Sequence, residues 1–239
     1  MVGTRLIASV PINIWNDYPI VQLNNSPIKR FTSSPIKQFT KMIDFLESID
    51  RQLLLLINGW NSPFFDEVMW TISGKLTWVP LYALLLFLMI RKAPRQWWVL
   101  LIGIAAAVTL ADTISVHCFK NVVMRYRPTH NLDIENIVHL VHGYRGGWYG
   151  FVSSHAANTF AIAVFVTLIL KNRWATIGIF AWAALVCYSR IYIAAHYPAD
   201  IACGAILGCV CGYAAYRLHQ FICNKLSTLK TENQHDGRP

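Results

Sequence analysis

From residue 75 onward the chain runs in long apolar stretches almost free of charge. Segments of that kind bury their backbone polar groups in helices, and a set of them points to a bundle that crosses a bilayer. Composition agrees. The chain is 55% hydrophobic and 14% charged, against about 25% charged in an ordinary soluble domain. Five spanning segments are expected, near 75–91, 97–119, 151–171, 174–191 and 199–219. Trp78, Trp97, Trp98, Trp148, Tyr149 and Trp174 sit at their ends, where an interfacial aromatic belt belongs. The expected fold is therefore an all-α integral membrane helical bundle of about five or six spanning helices. Gly204, Gly208 and Gly212 space small residues four apart in the last span and predict close helix packing there.

The segment before the spans divides in two. Residues 1–41 hold Pro11, Pro19, Pro27 and Pro35, and a near-repeat in Ser26–Lys29 and Ser34–Lys37. That composition reads as a disordered tail, or as a mis-called start with translation beginning at Met42. Residues 42–73 place Ile43, Leu46, Ile49, Leu53, Leu54 and Ile57 at helical spacing, opposite Asp44, Glu47, Asp50 and Arg51. This is an amphipathic helix suited to the interface, ended at Asn58-Gly59 and followed by a second short helix opened by Pro63. The membrane domain then covers 42–219, and 220–239 is a polar cytoplasmic tail.

A net charge of +9 raises the question of nucleic acid, but the basic residues lie mostly at the ends of apolar runs and match no nucleic-acid motif. The six cysteines form no C-x-x-C pair and read as free thiols, neither a disulfide framework nor a metal site. Arg91, Lys92 and Arg95, then Lys171 and Arg173, then Arg217, Lys225 and Lys230 fall on one face, the cytoplasmic one by the positive-inside rule. The loop 120–150 and the turn 192–198 then face outward. They and the adjoining helix end carry Lys120, Arg125, Arg127, Arg145 and Arg190 against that rule, which demands a functional reason.

Three patches lie at those outer helix ends: Lys120 to Arg127-Pro128, Val152-Ser153-Ser154-His155, and Ser189-Arg190 to His196 and Asp200. Cations beside two histidines and a carboxylate suit phosphoryl transfer. Fixed guanidinium and ammonium groups hold the nonbridging oxygens, one histidine attacks phosphorus and the other protonates the leaving oxygen. Asp200, four residues after His196, can orient that ring if Pro198 starts a helix. Asp112, midway along a span, is a candidate for function or for a buried hydrogen bond. His117, His130, His139 and His142 read as loop or interface residues.

These patches resemble the type 2 phosphatidic acid phosphatase family, whose patterns are K-x6-R-P, P-S-G-H and S-R-x5-H-x3-D. The first and third occur intact. In the second, Val152 replaces proline and Ser154 replaces glycine, while Ser153 and His155 match. The resemblance covers roughly 42–219. It implies a phosphatase working through a phosphohistidine without metal or other cofactor. It makes His196 the nucleophile, Asp200 its partner and His155 the acid and base, with Lys120, Arg127, Arg190, Ser153 and Ser154 binding phosphate. The expected protein is a multi-pass one of the inner (plasma) membrane, acting on a lipid phosphate or diphosphate from the extracytoplasmic side on which the positive-inside rule places the patches, with no nucleic-acid partner. Undecaprenyl diphosphate is the expected substrate, with lipid A, phosphatidylglycerophosphate and phosphatidic acid as alternatives within the same chemistry. A vanadate-binding haloperoxidase relative and a non-catalytic membrane protein are the alternatives of another class.

Deleting residues 1–41, so that the chain starts at Met42, is expected to leave activity unchanged. A large loss of active protein on expression would mark the segment as structural.

Overall fold

The charge-poor sequence folds into packed helices, and the computed structural model describes residues 28–235. The first helix, α1 (Ile28–Gly59), begins at Ile28 and not near Met42. Residues 28–41 are thus helical where their proline content predicts irregular chain. Pro35 lies inside this helix although an interior proline removes one N–H donor and crowds the carbonyl four residues back. Residues 1–27, with the other three prolines of the expected tail, lie outside the described residues.

From Glu47 onward the chain forms one unit. Short α2 (Pro63–Ser73) starts as expected, with Pro63 in its first turn and Ser62 Oγ accepting from the Phe65 amide. It meets α3 (Val79–Lys92) at a bend of 71°. Next, α4 (Trp97–Ile114) widens into a π-helical turn at Ser115–Lys120 and ends in one further turn, α5 (Asn121–Val123). The long loop 124–153 leads to α6 (Ser154–Leu170), α7 (Arg173–Tyr192) and α8 (Pro198–His235). The last helix continues well beyond 219 because no glycine or proline interrupts the sequence between Gly212 and Gly237. The expected polar tail is therefore helical in its described part.

Three stretches are long and apolar enough to cross a membrane: Pro94–Val123, Arg173–Tyr192 and Pro198–Leu229. The bent pair Pro63–Ser73 and Leu76–Lys92 makes a fourth if it counts as one span. This is fewer than the five or six full spans expected. The difference lies in α6, which holds only 17 residues, about 25 Å of helix. That helix packs against α3, α4, α7 and α8, and Ala157, Ala161, Phe165 and Val166 are wholly buried.

The glycine ladder of α8 does what its spacing suggests. A Cβ on Gly204 would lie 2.6 Å from the Ser153 carbonyl oxygen, and one on Gly212 would lie 2.5 Å from that of Ala161. Gly208 sits as tightly against Ala157. Positions 204, 208 and 212 therefore face 153, 157 and 161, so the two helices touch backbone to backbone. This contact fixes the start of α6 beside the start of α8. At the helix ends, Leu54 of α1 is buried with Ile134, Val138, Ala156, Ile191 and Tyr197, which seats the long loop there. All six cysteines are free thiols.

Replacing Gly208 with leucine should destabilise the protein by about 1–3 kcal/mol through overpacking, read as a lower thermal midpoint in detergent. Gly178→Ala is the control, because a Cβ there meets nothing within 4 Å. Equal midpoints for the two variants would contradict the ladder.

Candidate active site

Backbone pairing draws the three sequence patches together. The two ends of the long loop run antiparallel: the Arg127 amide donates to the Trp148 carbonyl at 2.9 Å and the Gly150 amide to the Arg125 carbonyl at 2.9 Å. The first patch thus lies beside the second. The Ser153 amide then donates to the Asp200 carbonyl at 3.0 Å, joining the second to the third. Below the loop, Asn58 brackets residue 139 and Tyr192. Its Oδ1 accepts from the His139 amide at 2.8 Å, and its Nδ2 donates to the carbonyls of His139 and Tyr192 at 3.0 and 2.7 Å. A residue read as a helix terminator is also a buried cross-link.

The side chains meet at a cavity of about 670 Å³ lined by Lys120, Arg127, Ser154, His155, Arg190 and His196. The π-helical turn before Lys120 rotates its ammonium onto Ser154 Oγ at 2.8 Å, and Ser115 Oγ meets the same hydroxyl at 2.7 Å. The serine that replaces the family's glycine is therefore the anchor of that lysine. Arg190 Nη1 donates to Ser73 Oγ at 2.5 Å and Nη2 to the Tyr144 hydroxyl at 3.3 Å. Arg127 Nε donates to the Tyr149 carbonyl at 3.1 Å. Arg127 Nη1 and Arg190 Nε are left buried without partners. Unsatisfied guanidinium donors at a cavity are what an anion site requires.

His196 lies in the buried turn between α7 and α8, and Pro198 starts the helix as expected. Its Nδ1 stands 3.6 Å from Asp200 Oδ2, the reach of an ion pair and slightly longer than a hydrogen bond. With Nδ1 turned to the carboxylate, Nε2 is the nitrogen left for the cavity. Burial, then the charges of Arg127, Arg190 and Lys120, push the His196 imidazole well below its ordinary pKa. Both causes favour the neutral ring, the form that can act as a nucleophile. Burial pushes the Tyr144 hydroxyl up, but Arg190 and Arg127 outweigh it and hold the group below the ordinary phenol range.

Ser153 departs from the expectation. It is fully buried, and its Oγ accepts from the Ala156 amide as the N-cap of α6. It does not line the cavity; its side chain supports the helix that carries Ser154 and His155.

Several residues of the site escape sequence reasoning. Arg125, noted only as an unexplained outward charge, donates to Asp200 Oδ1 at 2.9 Å and Asp50 Oδ2 at 2.7 Å, with its guanidinium 4.2 Å from the Tyr197 ring centroid. Asp50, assigned to the polar face of α1, is buried instead, and its other oxygen accepts from the Ala199 amide at 2.8 Å in the first turn of α8. Asp200 Oδ2 accepts from the Tyr197 amide at 3.1 Å. Gly150 is needed for space: a Cβ there would lie 2.9 Å from Asp200 Oδ2 and 3.5 Å from His196 Nδ1. The available signal for Arg125 was its cost, since a cation outside the positive face needs a carboxylate. Among the described residues no group of three His, Cys, Asp or Glu side chains gathers to hold a metal ion. His139 bonds Asp66 at 2.8 Å and His130 stacks on Trp148, both away from the cavity.

Breaking this network should be expensive. Arg125→Gln is expected to cost about 3–5 kcal/mol of stability by leaving Asp50 and Asp200 buried without their cation, read by thermal unfolding in detergent. Adding Asp50→Asn to that variant should restore part of the loss. Additive losses would show that the two residues do not interact.

Comparison with known proteins gives a consistent set. The PAP2 superfamily matches residues 96–222. The chain is 40% identical over 190 residues to the lipid A 4'-phosphatase of Bacteroides thetaiotaomicron, covering 78% of this chain and 82% of that protein. It is 35% identical over 180 residues to the lipid A 4'-phosphatase of Porphyromonas gingivalis, covering 75% of this chain and 76% of that protein. The crystal structure of Aquifex aeolicus LpxE superposes with a TM-score of 0.53 at 25% identity, over 70% of this chain and 93% of that one. A PAP2-type phosphatidylglycerolphosphate phosphatase from Bacillus subtilis shares the fold, with a TM-score of 0.52 at 20% identity over 75% and 87% of the two chains.

Proposed function

This chain belongs to the PAP2 superfamily of membrane lipid phosphatases, and from that premise we propose that it removes a phosphate monoester from a lipid A-type glycolipid. The expectation of undecaprenyl diphosphate gives way here, because the curated relatives at 35–40% identity are lipid A 4'-phosphatases. The observation that carries the reading is the two-part cavity. Its upper end holds Lys120, Arg127, Arg190 and both histidines, and it continues between apolar side chains that include Tyr82, Leu85, Ile104, Val108 and Ile162. A phosphate with an attached acyl lipid fits that polarity, with chains entering from the bilayer side. Reading α2–α3 as one span and α6 as a short one restores five crossings, and the basic connections 91–95 and 171–173 then lie opposite the site. The headgroup is reached from the extracytoplasmic leaflet of the inner membrane.

In this mechanism Lys120, Arg127 and Arg190 hold the three nonbridging oxygens and stabilise the charge that spreads over them. His196 Nε2 attacks phosphorus as the ester P–O bond breaks. Asp200 fixes the ring through Nδ1 and offsets the positive charge it gains. His155 gives its proton to the leaving sugar oxygen, then takes one from the water that attacks the phosphohistidine. The P–N bond breaks, inorganic phosphate leaves and both histidines return to their starting states. Each step is acid–base or nucleophilic chemistry of these side chains.

Purified protein offered a panel of lipid A, phosphatidylglycerophosphate, phosphatidic acid and undecaprenyl diphosphate should release phosphate fastest from lipid A, with chelator present. Faster release from any other member contradicts the substrate, and complete loss of activity on adding chelator contradicts the mechanism. His155→Ala should slow an alkyl phosphate at least ~100-fold but an aryl phosphate with an acidic leaving group far less. Equal losses would remove His155 from the role of acid.

A further inference from the structure

Among the polar side chains of the cavity that the mechanism does not use, one pair lies between its apolar walls. One turn of α6 below His155, Asn158 faces Asp112 of α4, and both line the cavity. Asn158 Nδ2 donates to Asp112 Oδ1 at 3.5 Å, the outer limit for such a bond. Asn158 Oδ1 is buried with no partner. Among the described residues no cation forms an ion pair with Asp112. Lys120, further along the same helix, gives its ammonium to Ser154. A carboxylate within a membrane segment is costly unless donors satisfy it, and its presence there marks a functional position.

The chemistry of the pair defines what would complete it. An ionised carboxylate only accepts hydrogen bonds, and the free atom of Asn158 is also an acceptor. The missing partner is an N–H or O–H donor, located about one helical turn, or ~5 Å, below the reacting phosphorus. Resting on the glycolipid reading above, we propose that Asp112 and Asn158 form an acceptor subsite for the N–H and O–H groups of an acylated amino sugar. It selects that headgroup over lipids that bring no donor to this depth. A diacylglycerol phosphate presents only ester carbonyls there, and a polyprenyl phosphate presents only hydrocarbon. Either would displace water from Asp112 and return no hydrogen bond. Sites built to bond a substrate N–H or O–H discriminate most strongly against analogues that lack it.

A bland alternative makes Asp112 a counter-charge for the cations at the top of the cavity, with no contact to substrate. Matched substrates separate the two roles. Two hexose 4-phosphates carrying the same acyl chain at the 2-position, glucosamine through an amide and glucose through an ester, differ there at one donor. The wild type should prefer the amide by about 10- to 100-fold in kcat/KM, the worth of one hydrogen bond to a charged group. In Asp112→Asn and in Asn158→Leu that ratio should fall toward one. A wild type with no preference, or variants that lose both substrates in equal proportion, would overturn the subsite while leaving the glycolipid reading in place. A wild type that cleaves diacylglycerol phosphate but neither sugar phosphate would overturn the glycolipid reading and the subsite with it.

Discussion

The arrangement depends on a single buried carboxylate. Asp200 is wholly inaccessible, and it stands where three separate segments meet. Its side chain takes donors from Arg125 and the Tyr197 amide and lies within ion-pair reach of His196. Its carbonyl receives the Ser153 amide. A charge so placed is tolerable only when paired and hydrogen-bonded. Arg125 supplies the pairing, and Asp50 in turn holds Arg125 and the first turn of α8. The long loop, the end of α1 and the starts of α6 and α8 are bound into one electrostatic knot beside His196. Gly150 leaves the room that the knot needs.

The bilayer sets the second condition. Lipid tails are as apolar as the helices, so burial of hydrocarbon alone does not hold a membrane bundle together. Close backbone packing does, and the contact of Gly204, Gly208 and Gly212 with α6 provides it. That contact also has a functional result. It sets the register between the helix that carries His155 and the helix that carries Asp200, so that stability and alignment come from the same three glycines. Room for the substrate then remains on the other side of α6, toward α3 and α4, where the apolar part of the cavity lies.

Much of this was legible in the sequence because hydropathy and motif spacing are local signals. The helices at 97–119, 174–191 and 199–219, the start at Pro198 and the glycine ladder could be read directly. The convergence of Lys120, Arg127, His155, Arg190 and His196 could be read from their shared place at outer helix ends. What was not legible depends on partners distant in the chain. Asp50 looks like any polar residue of an amphipathic helix until Arg125 is seen above it. Ser153 matches a phosphate-binding motif, yet its hydroxyl is consumed by capping α6. Ser154 looks like a defect in the motif until Lys120 is found bonded to it. The helical course of 28–41 is not legible in the sequence, because its prolines argue locally for irregular chain.

The central claim is that His196 is the nucleophile that takes up the phosphoryl group, beside Asp200 and among Lys120, Arg127 and Arg190. The most direct measurement is rapid quench of the full-length protein during turnover of a phosphorus-labelled lipid A-type substrate, followed by alkaline peptide mapping. The account predicts acid-labile label on the peptide containing His196, building up within one turnover and absent from His196→Ala, which should lose at least ~10⁴-fold in kcat. Label on another residue, or substantial turnover by the His196→Ala protein, would contradict it.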